Sequence, residues 1–102
     1  MFSLAERTII MKVIKLVFKS TLTGLAGYTY GKTVYEEQVK EKIDFEEGTC
    51  IEIPDHIVRI ASSFIQGFFE EIVKKVGLSP IGEKIDIRCN SEELRKEILE
   101  NL

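Results

Sequence analysis

Two adjacent hydroxyls, Ser62 and Ser63, stand between an apolar-lined connector, Asp55 to Ile60, and an apolar run that starts at Phe64. A serine at the entrance to a helix is exposed. A phosphate added there would meet free backbone N–H groups and the positive end of the helix dipole. The same place also suits a helix cap, and Ser63-Phe-Ile-Gln66 has the spacing of a capping box. Ser62 and Ser63 are the candidate phosphoacceptors of the chain.

Gly27-Tyr-Thr-Tyr-Gly31-Lys32-Thr33 is the second segment that invites chemistry. A phosphate loop places four residues between its first glycine and Gly-Lys-Ser/Thr, so that successive N–H groups converge on the phosphates. Here three residues intervene from Gly27 and six from Gly24, and nucleotide hydrolysis is not expected. A glycine turn leading into a helix start could still hold some anion, with Gly31, Lys32 and Thr33 as the candidate contacts. His56 beside Asp55 has no oriented third group, and its only nearby nucleophiles are the two serines. Cys50 and Cys89 with a single histidine cannot make a zinc set. They are expected to be small reduced core residues inside strands. The carboxylates of Glu36, Glu37, Glu41, Asp44, Glu46 and Glu47 form an acidic stretch that reads as a solvated face.

The chain that must position these groups has 102 residues, 44% hydrophobic and 30% charged, with a net charge of −3. That length fits one domain over 1–102, with 1–10 as a loose extension and Met11 as a conceivable internal start. The slightly acidic balance lacks the basic footprint of a nucleic-acid binder. No apolar run approaches the length of a signal-peptide core or of a spanning helix, so no membrane contact and a cytoplasmic location are expected.

Residues 8–19 are rich in β-branched residues with apolar groups on both faces, which predicts a strand covered at least in part on both sides. Ser20 to Gly31 predicts a turn with one short strand. Thr33-Val-Tyr-Glu36 has capping-box spacing, and Tyr35, Val39 and Ile43 then predict a helix over 33–43, supported by a Glu36–Lys40 pair. Thr49 to Ile53 predicts a strand stopped by Pro54. Phe64, Ile65, Phe68, Phe69, Ile72, Val73 and Val76 predict the strongest helix, over 63–76, with Gly77 as terminator, Leu78 packing back and Pro80 beyond. A strand over 84–89 follows. A last helix opens at Asn90 or Ser91, with Leu94, Ile98 and Leu102 on one stripe. The alternation predicts a small α/β sandwich with parallel pairing in its later part.

An apolar strand Ile51-Glu-Ile53, Val58, the tripeptide Ser62-Ser63-Phe64, the helix to Val76, a strand Lys84 to Cys89 and a helix Ser91 to Leu102 follow one another in this order. From about residue 31 to 102 this succession resembles the STAS-like domain family, small bacterial domains related to anti-sigma factor antagonists. The resemblance implies a sandwich of a four- to five-stranded mixed sheet with about three helices packed mainly on one face. It also implies a docking surface for a histidine-kinase-like ATPase near the helix that starts at the serine loop. In antagonist relatives that ATPase phosphorylates a serine, and the added charge releases the complex; Ser62 is the nearest match and Ser63 the next. Ala61 stands where antagonists carry aspartate, and Phe64 where they carry glycine.

The expectation is a non-enzymatic interaction or switch module without a cofactor. His56, Arg59, Phe64 and Gln66 are its candidate partner contacts, and it is expected to be a monomer or weak homodimer. The alternative is a small-ligand domain that takes a nucleotide or other anion on the Gly24–Thr33 turn. An enzyme is not expected, because no nucleophile, base and orienting group occur together.

Overall fold

In a computed structural model the described residues are 12–77 and 84–102. The strands are β1 (Lys12–Lys15), β2 (Gly24–Leu25), β3 (Thr49–Glu52), β4 (Arg59–Ile60) and β5 (Ile85–Arg88). The helices among these residues are α1 (Tyr28–Gln38), α2 (Ser62–Val76) and α3 (Glu92–Glu100). The expected segments Thr8 to Met11, the extension 1–10, Leu78 and Pro80 lie outside the described residues.

The strands of the described residues form two parallel sheets, one of three strands in the order β1-β3-β5 and one of two, β2-β4. Every pairing is parallel, so the single mixed sheet of four to five strands is not what these residues display. Parallel neighbours need a crossover of a dozen or more residues between them. The segment holding α1 lies between β1 and β3, and the one holding α2 between β3 and β5. The register aligns Ile14 with Ile51 and Ile51 with Ile87. Because side chains alternate across a strand, these three isoleucines share one face.

That face is the floor of a single core. Val34, Tyr35 and Val39 of the α1 region, Phe64, Phe68 and Ile72 of α2, and Leu94 and Ile98 of α3 are all buried in it. On the opposite face Val13 is 46% exposed, so the expected two-sided cover of this strand is not found at that position.

Helix α2 forms as its apolar spacing dictates. It ends at Gly77, whose φ of 78° is the left-handed region that glycine enters without strain. Helix α3 begins at Ser91, whose Oγ accepts the Leu94 N–H at 3.1 Å. Helix α1 differs from expectation. It spans Tyr28–Gln38, so Gly27–Gly31 is the start of a helix and Thr33 lies inside it. The predicted capping box therefore caps nothing, and residues 39–42 continue the path as turns. Lys40 meets Glu71 at 3.5 Å rather than Glu36.

Tertiary packing overrides the local glycine signal here. A Cβ on Gly31 would lie 2.9 Å from the Phe68 nitrogen, and one on Gly67 2.9 Å from the Tyr28 carbonyl carbon. Both separations are too short for a real Cβ. The two glycines let the backbones of α1 and α2 meet directly, which offsets the roughly 1 kcal/mol that a glycine costs inside a helix.

Candidate functional site

The serine pair sits where the two-stranded sheet hands over to α2. Gly24 pairs with Arg59 and Leu25 with Ile60. The Val58 N–H donates to the Thr23 carbonyl and the Ala61 N–H to the Leu25 carbonyl, each at 2.8 Å. Alternation then buries Ile60 and turns Arg59 outward. Ala61 is extended and occupies the cap position of α2. Its carbonyl accepts the Phe64 and Ile65 N–H groups at 3.1 and 3.2 Å.

No side chain caps this helix, and no acidic residue stands in its first turn. The predicted Ser63–Gln66 capping box is thus not formed, because the cap falls on Ala61, two residues earlier than the box requires. Ser63 does something else. Its Oγ accepts the N–H of Gly27, the cap residue of α1, at 3.0 Å. The Ser62 hydroxyl makes no hydrogen bond to the described residues, and Ser62, Ser63 and Gln66 are exposed. One serine is committed to structure and the other is free.

The remaining candidate contacts fall in different environments. Phe64 is only 3% exposed, with Tyr30 edge-on at 5.6 Å and Phe68 stacked at 5.8 Å. It anchors α2 and presents nothing to a partner, a correction to its expected role. His56 Nδ1 lies 2.7 Å from the Leu22 carbonyl oxygen. A carbonyl only accepts, so Nδ1 carries the proton and His56 ties two loops together. Arg59 lines a groove of about 450 Å³ with Gly24, Leu25, Ala61 and Glu97, directly beside the serines. Nothing in the local residue pattern points to this groove, because Glu97 reaches it from α3, far along the chain.

The anion candidates are not assembled as expected. The Gly31 N–H donates to the Gly27 carbonyl at 3.0 Å as part of the helix. Gly31 is buried against Phe64, and Lys32 is held by Glu70 at 3.1 Å. Thr33 is exposed on the second turn of α1. No glycine turn remains there to cradle a phosphate.

A second concavity lies at the carboxyl ends of β3 and β5, a cleft of about 630 Å³ whose lining includes Glu52, Asp86, Arg88 and Arg95. Arg95 is fixed in its wall, with Nη2 3.0 Å from Asp86 Oδ1 and Nε donating to the Ile87 carbonyl at 3.0 Å. Asn90 donates to the Asp55 carbonyl at 2.8 Å and joins the two rims. Sequence reasoning missed this cleft, whose residues come together only through the β3–β5 register.

Both cysteines are free, and Cys50 is buried. Burial pushes both thiols above the ordinary range, which argues against a nucleophilic cysteine. Among the described residues no group of three His, Cys, Asp or Glu converges to hold a metal, and no helix is long and apolar enough to cross a membrane. No protein-family model matches the chain, and neither a curated protein nor a solved structure matches it.

Proposed function

We propose that this chain is a non-enzymatic docking module of the STAS-like kind, which engages a histidine-kinase-like ATPase through the β4–α2 junction. The reading places it in the cytoplasm as a monomer or weak homodimer, with Ser62 as the residue whose phosphorylation dissociates the complex. The observation that carries it is the unequal standing of the two serines. Ser62 is exposed, free of side-chain hydrogen bonds to the described residues, and next to an open groove, whereas Ser63 holds the start of α1.

A phosphate on Ser62 would add negative charge at an uncapped helix start, where it would be stabilised by the dipole and by free N–H groups. Arg59 is the nearest cation in sequence and is exposed. In the partner complex the same charge would have to be desolvated or would face like charge, which disfavours binding.

The test uses the purified chain and each kinase-like ATPase encoded in its own genome. One of them binds, ATP leads to phosphate on Ser62, and Ser62→Asp weakens the complex at least about tenfold, or 1.4 kcal/mol. Ser62→Ala binds as the parent does but takes no phosphate. If no such ATPase binds, or if Ser62→Asp binds as tightly as the parent, the reading fails.

A further inference from the structure

The parallel register brings three charged side chains into one row across the sheet, Lys15 on β1, Glu52 on β3 and Arg88 on β5. Register partners in neighbouring strands point to the same face, and the strands are spaced by about 4.8 Å. The row is cationic, anionic, cationic. Opposite charges at such positions commonly pair, yet none of the three takes part in an ion pair with the described residues. Glu52 and Arg88 line the 630 Å³ cleft, and Lys15 and Glu52 line an adjoining one of about 360 Å³ over the ends of β1 and β3. The two concavities meet at Glu52, Ile53 and Asp55.

From this row we infer a binding site for a small acidic zwitterion, a molecule with a central ammonium flanked by two carboxylates, as in a dicarboxylic amino acid. The ammonium meets Glu52, and the carboxylates meet Lys15 and Arg88. Each concavity is of the size that small-molecule sites occupy, and both lie at the carboxyl ends of the parallel strands.

Other ligand chemistries fit less well. A simple anion would have to face Glu52, with Asp55 and Glu92 lining the same cleft. A simple cation would face Lys15 and Arg88. Arg95 does not change this balance, because Asp86 already neutralises it at 3.0 Å. The walls are set in advance by the Arg95 and Asn90 hydrogen bonds, so binding requires little reordering of the backbone. The site shares no residue with the serine junction, and it stands or falls separately from the docking reading.

The experiment is a calorimetric and amide-shift titration of the whole chain with L-glutamate and L-aspartate. Glutarate, which lacks the ammonium, and spermidine, which lacks carboxylates, are the controls. One of the two amino acids binds saturably, with shifts centred on residues 15, 52 and 88. It binds at least about tenfold more tightly than either control, and Arg88→Met and Glu52→Gln each weaken it about tenfold. The inference is overturned by the absence of saturable binding for both amino acids, or by shifts elsewhere in the chain. Glutarate or spermidine binding as tightly as the amino acids also overturns it. The shift map of the unaltered chain decides the matter even where a variant fails to fold.

Discussion

At the scale of single residues, several polar side chains hold backbone in place. Asp44 Oδ1 accepts the N–H groups of Glu46 and Glu47 at 3.0 and 2.9 Å, while the buried Thr49 hydroxyl bridges the Asp44 N–H and carbonyl. Donation from the Glu47 N–H, aided by Glu46 and by the charges of Lys12 and Lys84, holds the Asp44 carboxyl below its ordinary value of 3.8. A depressed carboxyl contributes stability above its unfolded pKa and loses it as pH falls through the lower folded value. The excess stability of the parent over Asp44→Ala is therefore present at neutral pH and shrinks below about pH 4, measured by urea unfolding at each pH. Tyr35 makes the opposite point. Its hydroxyl is buried without a partner among the described residues, and burial first, then the Glu71 charge, raises its pKa. Tyr35→Phe keeps the edge contact with Phe68 at 5.9 Å. It is expected to leave stability unchanged or raise it by up to about 1–3 kcal/mol, the usual cost of an unsatisfied buried group. A fall in the urea midpoint would show that the hydroxyl has a partner. Cys50, 2% exposed with its thiol pushed up, is expected to react with a thiol reagent more slowly than half-buried Cys89 in the native chain and at the same rate after denaturation.

At the scale of elements, the contact between α1 and α2 decides the local architecture. Gly31→Ala and Gly67→Ala each force a methyl group against backbone of the other helix. Each is expected to cost at least the ~1–3 kcal/mol of ordinary overpacking, read as a loss in thermal or urea stability. Gly77→Ala meets nothing within 4 Å among the described residues. Its cost is backbone strain alone, on the order of 1 kcal/mol. The same contact explains what was legible in the sequence. Helix α2 was readable because Phe64, Ile65, Phe68, Phe69 and Ile72 carry a helical period on their own. The start of α3 was readable to within one residue, Asn90 or Ser91, because nothing distant competes for the Ser91 hydroxyl that caps it. Helix α1 was misplaced by five residues because Gly27 and Gly31 look like a turn until a second backbone is laid against them. Ser63 was misread as a cap for the same reason, since its partner, the Gly27 N–H, lies 36 positions away. The three concavities were invisible, because each is built from register and from residues of distant segments.

At the scale of the molecule, one core joins the three helices to one face of the parallel strands, and functional surfaces are left at its margins. The β4–α2 junction and the carboxyl edge of the sheet are separate margins with different chemistry, one presenting hydroxyls and a groove, the other a row of alternating charge. Removing core volume is expected to act on both together through stability. Ile72→Ala, at a position with no exposed surface, is expected to cost about 2–5 kcal/mol. The docking account rests on the junction alone, and hydrogen exchange in the presence of the bound kinase-like ATPase tests it most directly. Protection on binding is expected to concentrate in residues 58–66, with the N–H groups at the start of α2 the most affected. Protection that spares those residues and falls on another part of the chain would contradict it.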